Sequence, residues 1–228
     1  MKFDLKAYLI VGRENTNGRP VEKIVEDAIR AGFTFIQIRS KVEDAKDLIE
    51  DCKAAADVIA RLGKSDSVAL VVNDRLDVVL AAREMGIKVD GIHVGQTDIP
   101  VSICRKYLGK DSIVGLSAPT KDLIEYAKKF DVKDIDYFGA GPVHDTESKK
   151  NLAKDDEGNV IIKTFEEFTE LAKVSPVPVV IGGGVKTPDV PELKKCGLAG
   201  FFVISAVAGA DDPYKAACEM TDAWNNTK

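Results

Sequence analysis

Alternate polar residues close one of the apolar runs of the sequence, residues 33–38. Gln37, Arg39 and Lys41 would point the same way for as long as the chain stays extended. An arginine fork and a lysine ammonium both donate hydrogen bonds to phosphate oxygens. Such a pair is also typical of an ordinary solvated surface. The pattern therefore predicts an anion site only if further charged or polar residues follow the other apolar runs.

Two aspartates follow two later apolar runs. Asn73 and Asp74 come directly after the run 68–72, and Asp98 follows the run 91–94. Proteins typically supply one or two carboxylate ligands to Mg2+, and substrate phosphates and water complete the coordination shell. Either aspartate could instead cap the helix that comes next. We predict a Mg2+ site at Asp74 and Asp98, with helix capping as the alternative.

Two further features favour a second anion site. A glycine triplet at residues 182–184 follows the seventh apolar run, and Ile204 ends the eighth. Loops in these places bind phosphate through backbone N–H groups in many barrels, although a glycine triplet can also be a plain tight turn. The long polar connection 141–161 supplies Lys149, a third cation for the first anion site beside Arg39 and Lys41. Connections of this length are usually functional lids or disordered tips.

Covalent acyl chemistry is not indicated. The chain has only two histidines, His93 and His144, and no Ser-His-Asp or Cys-His arrangement can be traced. His93 lies at the end of the fourth apolar run and is predicted to pack or to orient a neighbour, whereas His144 lies in the connection 141–161. Proton transfer by either histidine is the less favoured interpretation.

Apolar runs alternate with amphipathic stretches along the chain. Eight near-continuous apolar runs are typical of parallel strands buried on both faces, at residues 7–11, 33–38, 68–72, 91–94, 113–116, 137–140, 177–181 and 200–204. Helical spacing follows at residues 21–29, 48–59, 76–85, 101–108, 121–130, 164–174, 188–196 and 213–226. Thr187 and Pro188 are expected as the N-cap and first residue of the seventh helix.

This alternation predicts an α/β fold, a single (β/α)8 TIM barrel over residues 1–228, with its active site at the C-terminal face of the strands. All the polar groups above would then meet at one mouth. An open doubly wound sheet is the alternative. Its glycine-rich nucleotide turn is reduced here to Gly12, so the barrel is favoured.

Composition excludes several classes of protein. The formal net charge is -5, which argues against binding nucleic acid or an anionic membrane surface. No apolar run approaches the roughly 20 residues that span a bilayer, and the N-terminus does not read as a secretory signal. The four cysteines have no metal or redox spacing. We expect a cytoplasmic protein acting on small molecules, and the sequence leaves a homo-oligomer open.

Seven short motifs occur in one order along the chain. They are Gln-x-Arg-x-Lys at residues 37–41, Val-Asn-Asp at 72–74, the stretch 90–98, Gly-Leu-Ser-Ala at 115–118, Gly-Pro at 141–142 leading to 146–150, Ile-Gly-Gly-Gly at 181–184 and Val-Ile-Ser-Ala at 203–206. In this order they resemble the thiamine phosphate synthase family, also called thiamine-phosphate pyrophosphorylase. The resemblance covers nearly the whole chain.

The resemblance implies a transferase that joins 4-amino-2-methyl-5-pyrimidinylmethyl diphosphate to 4-methyl-5-(2-phosphoethyl)thiazole, giving thiamine phosphate and diphosphate. By similarity, the pyrimidine diphosphate contacts Gln37, Arg39, Lys41, Asn73 and Lys149, while Asp74 and Asp98 hold Mg2+ and Ser117 lies near the pyrimidine amino group. The thiazole phosphate contacts Thr146, Ser148, Gly184, Ile204 and Ser205. The catalytic residues that the resemblance implies are Arg39, Lys41, Lys149 and Ser117.

One segment departs from the family pattern. The family more often has Pro-Thr-x-Thr-Lys where this chain has Asp145-Thr146-Glu147-Ser148-Lys149, and residues 151–160 are longer and more acidic than usual. The departure concerns how the connection closes over the site. It does not concern the chemistry.

Two other functions are weighed against the synthase. A homologous thiazole tautomerase binds a thiazole phosphate without a diphosphate partner, and it would have no diphosphate-bound metal for Asp74 and Asp98 to hold. A non-catalytic sensor of phosphate ligands would use the same barrel for binding alone. Turnover of both substrates distinguishes the synthase from either alternative.

Overall fold

Eight short strands form the centre of the molecule. A computed structural model describes residues 3–146 and 153–228. The strands are β1 (Ala7–Val11), β2 (Phe35–Ile38), β3 (Ala69–Asn73), β4 (Gly91–Val94), β5 (Ile113–Ser117), β6 (Tyr137–Ala140), β7 (Val179–Ile181) and β8 (Gly200–Val203). Every residue of β1, β2, β4 and β6 is buried, as expected of strands covered on both faces.

The strands pair in chain order and close on themselves. Each strand is parallel to the next, and β8 returns to pair with β1 through Ala7 opposite Phe201. The predicted (β/α)8 barrel is confirmed, and the open doubly wound sheet is excluded because β1 and β8 are neighbours. Gly12 has a packing role, since a Cβ there would overlap the backbone carbonyl of Arg39.

Helices cover the outside of the barrel. They are α1 (Val21–Arg30), α2 (Ala45–Arg61), α3 (Leu76–Glu84), α4 (Val101–Leu108), α5 (Leu123–Lys129), α6 (Phe165–Val174), α7 (Val190–Lys195), α8 (Ser205–Ala208) and α9 (Pro213–Asn226). Each amphipathic helix turns its apolar side inward, as Ile24, Val25 and Ala28 of α1 do at full burial. None of the helices in the described ranges is long and apolar enough to cross a membrane.

The structure corrects several predicted boundaries. The strands expected from residues 33, 68 and 177 begin at Phe35, Ala69 and Val179. Thr187 is not an N-cap: it lies inside a 3-10 turn, Thr187–Asp189, that precedes α7. The Asp189 carboxylate accepts the Lys186 N–H at 2.8 Å and so starts this turn one residue earlier. The four-residue α8 was not predicted, because its apolar sequence continues that of β8.

The connection 141–161 was expected to lack regular structure. Its second half, residues 153–161, is nevertheless ordered by backbone pairing. Lys154 and Val160 form an antiparallel bridge. Between them the Asp155 carboxylate accepts the N–H groups of Glu157 at 3.0 Å and Asn159 at 2.8 Å. An aspartate that captures nearby backbone donors favours such a turn over an open loop. Residues 153–161 therefore form a small hairpin beside the barrel.

Aromatic side chains fill the barrel interior. Tyr8, Phe35 and Tyr137 are almost completely buried and belong to a cluster separate from the apolar layer under the helices. The ring centroids of Tyr8 and Phe35 are 4.4 Å apart, and those of Phe35 and Tyr137 are 5.6 Å apart, within the range of favourable ring contacts. The interior is thus a packed core, and not a channel.

We expect Gly115→Ala to destabilise the fold by about 1–3 kcal/mol, the usual cost of overpacking a core. A Cβ at Gly115 would overlap the Tyr137 ring and lie 2.5 Å from His93 Nδ1. Gly139→Ala is the matched control, because its Cβ would lie 3.1 Å from the nearest atom of His93. Urea unfolding measures both changes. If Gly115→Ala lowered the free energy of unfolding no more than Gly139→Ala does, the interior would not be tightly packed at Gly115.

Candidate active site

The turn after β2 holds the predicted cations. Arg39 N–H continues the ladder by donating to Val11 O at 2.9 Å. The Ser40 hydroxyl then accepts the N–H groups of Val42 at 3.1 Å and Glu43 at 3.0 Å, which turns the chain away from the strand direction. The Arg39 side chain has no hydrogen-bond or ion-pair partner within residues 3–146 and 153–228. Its donors are available to an anion.

Gln37, Arg39 and Lys41 do not share one environment, although their alternate spacing predicted that they would point the same way. Gln37 is 1% exposed and donates through Nε2 to the Tyr8 hydroxyl. Arg39 is half-buried, and Lys41 is exposed. The strand ends at Ile38, so the extended geometry on which the pattern rested stops before the two cations. Gln37 faces the barrel interior, while the cations lie at its rim.

Asp74 and Asp98 come together at the ends of β3 and β4. The Asp74 N–H donates to His93 O at 2.8 Å, and Asp74 has a left-handed backbone with φ 62°. A non-glycine residue held in this conformation is strained, as is common at functional sites. Burial raises the pKa of the Asp74 carboxyl, the Lys41 ammonium opposes this rise, and the neighbouring Asp98 carboxylate adds to it.

Neither aspartate caps a helix, so that alternative is wrong. The N-cap residues of α3 and α4 are Arg75 and Pro100, without side-chain caps. Asp98 Oδ2 instead accepts the Gly95 N–H at 2.8 Å. Asp74 Oδ2 accepts from the Asn73 amide at 2.6 Å and from the Lys41 ammonium. Both carboxylates are thus held at the mouth by other contacts.

The donor set fits a hard divalent cation that takes its remaining ligands from substrate and water. Two adjacent carboxylates repel each other when both are ionised, and a cation between them offsets this repulsion. Within the described ranges no group of three or more His, Cys, Asp or Glu side chains could hold a metal. Asp74 and Asp98 would therefore supply only part of a Mg2+ shell, with phosphate oxygens completing it.

Ser117 ends β5, and two neighbours fix its position. Its hydroxyl oxygen lies 2.9 Å from His93 Nε2, and its carbonyl accepts from Gln96 Nε2 at 2.7 Å. His93 Nδ1 lies 2.9 Å from the Tyr137 hydroxyl. His93 is 8% exposed, so its ring is enclosed by the barrel. It holds Ser117 and Tyr137 together across β4, β5 and β6.

The glycine triplet lies against the chain that leaves β6. Gly183 has φ 85° and Gly184 has φ 73°, conformations that favour glycine. Gly183 O accepts the N–H groups of Val143 at 2.9 Å and His144 at 3.1 Å. A Cβ on Gly184 would lie 2.9 Å from the Cβ of His144. The N–H groups of Gly183 and Gly184 donate no hydrogen bond within the described ranges.

His144 connects this loop to the start of α7. Its Nε2 lies 2.9 Å from Asp189 Oδ2, the same oxygen that accepts the Lys186 N–H. The Thr146 N–H donates to Asp145 Oδ1 at 2.8 Å. The loops after β6 and β7 are therefore held side by side, and the N–H groups of Gly183 and Gly184 have no hydrogen-bond acceptor among the described residues.

The remaining predicted residues lie around β8 or outside the described chain. Ile204 is half-buried and precedes α8, and Ser205 is the exposed first residue of that helix. Ser148 and Lys149 lie outside the described residues, so their predicted contacts stay predictions. Tyr8 and Tyr137 were not predicted as site residues. Both lie inside apolar strands, where a tyrosine is indistinguishable from an ordinary core residue. The only related feature of the sequence is Gly115, which leaves space for the Tyr137 ring.

The fold and the mouth together define a class of protein: a parallel (β/α)8 barrel with cations and carboxylates after strands β2 to β4 and a glycine loop after β7. Comparison with known proteins narrows this class. The family model described as thiamine monophosphate synthase matches residues 7–207. The chain belongs to this family.

Named relatives cover almost the whole chain. A thiamine-phosphate synthase of Clostridium tetani is 34% identical and covers 98% of this chain and 97% of its own. Thiamine-phosphate synthase 1 of Streptococcus pneumoniae is 35% identical over 96% of this chain and 97% of its own. Among solved structures, the thiamine phosphate pyrophosphorylase of Pyrococcus furiosus has a TM-score of 0.78 and 29% identity, covering 98% of this chain and 96% of its own. A 3-hexulose-6-phosphate synthase at 15% identity and TM-score 0.66 shares the fold alone.

Proposed function

We propose that the chain is a thiamine-phosphate synthase, which joins the pyrimidine diphosphate to the thiazole phosphate with release of diphosphate. The observation that carries the proposal is the proximity of Asp74 and Asp98, beside Lys41 and an Arg39 side chain that has no partner among the described residues. This half of the mouth suits a metal-bound diphosphate. The glycine loop after β7 suits a second, smaller phosphate.

Departure of the diphosphate is the demanding step. It leaves a cation delocalised into the aminopyrimidine ring, so the protein must stabilise the departing anion and position the thiazole nitrogen. Arg39 and Lys41 donate to the diphosphate oxygens, and Lys149 is proposed to join them. Asp74 and Asp98 would hold Mg2+, which supplies Lewis-acid stabilisation of the same leaving group. Asn73 orients Asp74 through its amide.

The two organic rings are proposed to meet over the aromatic floor of the barrel. Gln37 and Ser117 would contact the aminopyrimidine, since both carry polar atoms beside Tyr8, Tyr137 and His93. No protein nucleophile is needed, because the thiazole nitrogen itself attacks the pyrimidine methylene. No general base is needed either, because that nitrogen carries no proton.

The second half of the mouth is proposed to hold the thiazole phosphate. The Gly184 N–H donates no hydrogen bond within the described ranges, and short backbone donors of this kind suit phosphate oxygens. Thr146, Ile204 and Ser205 border the same space on the loops after β6 and β8, and Ser148 is proposed to join them. Separate sites for two anions fit a reaction with two phosphorylated substrates.

A cytoplasmic location is proposed as well. Cys52, Cys104, Cys196 and Cys218 are all free, and the first three are buried. Burial raises the pKa of the Cys52 thiol to about 12, which keeps it in the unreactive protonated form. Free cysteines fit a reducing compartment.

Turnover tests the proposed function. Purified protein mixed with the pyrimidine diphosphate, the thiazole phosphate and Mg2+ is expected to yield thiamine phosphate and diphosphate in equal amounts. Isomerisation of a thiazole phosphate without the pyrimidine partner would instead identify the tautomerase. Binding of both ligands without any product would identify a sensor and contradict the synthase.

Arg39→Lys is expected to raise the KM for the pyrimidine diphosphate about tenfold. Lysine keeps the charge but loses the planar fork, and one charge-assisted hydrogen bond contributes about 1.5–3 kcal/mol. Arg75→Lys is the matched control, since the Arg75 fork is already paired with Asp77 at 2.9 and 2.7 Å. Steady-state kinetics measures both. Equal effects of the two variants would argue against Arg39 as a diphosphate ligand.

A further inference from the structure

Five polar side chains form one continuous hydrogen-bonded chain across the barrel interior. Gln37 Nε2 donates to the Tyr8 hydroxyl, which lies 3.0 Å from the Tyr137 hydroxyl. Tyr137 lies 2.9 Å from His93 Nδ1, and His93 Nε2 lies 2.9 Å from Ser117 Oγ. These residues come from five different strands. Their burial limits competition from water, which strengthens each link.

The two ends of this chain are residues that the proposed function assigns to the aminopyrimidine. The three middle residues have no assigned role. At one end Gln37 Oε1 is buried and has no hydrogen-bond partner in the described ranges. A buried amide oxygen without a partner is costly unless a ligand satisfies it. At the other end Ser117 is half-buried at the mouth.

The strands leave room for these side chains at two glycines. A Cβ on Gly115 would collide with both partners of the Tyr137 to His93 link, and a Cβ on Gly139 would lie 3.1 Å from the His93 ring. Glycine weakens the interior of a strand and commonly marks a close approach. The barrel is therefore built around the link between Tyr137 and His93.

The protons in such a chain can be counted. Burial raises the pKa of both tyrosines far above the usual value, so each phenol keeps its single O–H. A neutral imidazole has one N–H and one lone pair. When Gln37 donates to Tyr8, Tyr8 donates to Tyr137 and Tyr137 to His93 Nδ1. His93 Nε2–H then donates to Ser117, whose own O–H remains for a ligand.

Rotation of the Gln37 amide by half a turn reverses every link. Tyr8 then donates to the amide oxygen, Tyr137 to Tyr8, His93 Nδ1–H to Tyr137, and the Ser117 O–H to His93 Nε2. The remaining groups are now the Gln37 NH2 and a lone pair of Ser117. In both arrangements one end offers a donor and the other an acceptor.

We propose that Tyr8, Tyr137 and His93 are positioning residues that couple the hydrogen-bonding states of Gln37 and Ser117, so that the two ends always present one donor and one acceptor. An aminopyrimidine carries an amino donor beside a ring-nitrogen acceptor and matches this pair. The identity of the ligand rests on the proposed function. The coupling itself is a property of the unliganded protein.

The tautomer of His93 reports the direction of the chain. In ¹⁵N NMR spectra, with His144→Gln removing the only other histidine, wild-type His93 is expected as the Nε2–H tautomer. Gln37→Glu, measured at about pH 9 to ionise a buried carboxyl, can only accept from Tyr8 and is expected to switch His93 to the Nδ1–H tautomer. In a Tyr137→Phe background, Gln37→Glu is expected to change nothing. An imidazolium signal, an unchanged tautomer, or a switch that survives Tyr137→Phe would overturn the proposal.

Ligand binding gives a second test that does not need the buried glutamate. Binding of the pyrimidine diphosphate with Mg2+ is measured for Gln37→Ala, Ser117→Ala and the double variant. Their effects on Kd are expected to deviate from additivity by at least about threefold. The deviation is expected to vanish in Tyr137→Phe. It is expected to persist in Tyr126→Phe, which removes a phenol that bonds to Gln96 and is not one of the five linked side chains.

The two tests separate this proposal from the proposed function. Additive effects in the otherwise unmodified protein, or non-additivity that persists in Tyr137→Phe, would overturn the coupling. If the tautomer follows Gln37 but the pyrimidine diphosphate does not bind, the coupling stands and the proposed function fails.

Discussion

Asp98→Ala is expected to lower turnover at least about 100-fold and to abolish the normal dependence of the rate on Mg2+ concentration. Asp98 is one of the two carboxylates assigned to Mg2+, and Asp74 alone would hold a divalent cation weakly. Lewis-acid stabilisation of a departing phosphate contributes several kcal/mol, and each 1.36 kcal/mol is about tenfold in rate. Titration of the steady-state rate with Mg2+ measures the effect.

Asp77→Ala is the matched control for this variant. Asp77 lies in the first turn of α3, three residues after Asp74, but its carboxylate pairs with Arg75 at 2.7 Å. Arg75 holds the pKa of Asp77 below its usual value, so this control removes an ionised carboxylate near the same rim. A near-normal Mg2+ dependence in Asp98→Ala would refute the assigned role of Asp98.

An electron-withdrawing substituent on the pyrimidine ring is expected to slow the chemical step about 100-fold or more. The structure does place the Ser117 hydroxyl 2.9 Å from His93 Nε2, a serine-histidine contact that the sequence did not indicate, but the proposed reaction uses neither group as nucleophile or base. The thiazole nitrogen is the nucleophile, and we expect bond breaking to run ahead of bond formation, with positive charge on the pyrimidine ring. About 2.7 kcal/mol of lost cation stabilisation gives a 100-fold effect.

Single-turnover kinetics measures this step without interference from product release. The matched comparison is an equally large substituent that does not withdraw electrons. An unchanged rate with the withdrawing group would favour direct displacement by the thiazole nitrogen. A similar loss with both substituents would point to a steric effect.

The barrel could be predicted because its signals are local and repeated. Continuous apolar runs such as Tyr8 to Val11 mark buried parallel strands, and their alternation with amphipathic helices leaves few topologies. Boundaries were less predictable, because the apolar residues Phe33 and Val177 precede the paired part of their strands. Only Ile204 lies between β8 and the short helix α8, so no loop pattern in the sequence separates the two elements.

The site could be predicted in part. The position of polar residues at strand ends indicated that Asp74 and Asp98 would meet, and the structure brings them together. The sequence pattern could not indicate that Gln37 faces the barrel interior while Arg39 and Lys41 lie at the rim. That difference arises where β2 ends, and the end of β2 depends on its pairing with neighbouring strands. The roles of Tyr8 and Tyr137 depend on contacts across the barrel, 129 residues apart in sequence. Such contacts leave no local pattern.

A crystal structure with thiamine phosphate, diphosphate and Mg2+ bound tests the two-anion mouth most directly. We predict diphosphate on Arg39 and Lys41, with Mg2+ between it and the carboxylates of Asp74 and Asp98. The phosphate of thiamine phosphate should lie across the mouth, against the backbone of Gly184 and Ser205. Both anions on one side of the barrel, or a Mg2+ ion without contact to either aspartate, would contradict the proposed mechanism.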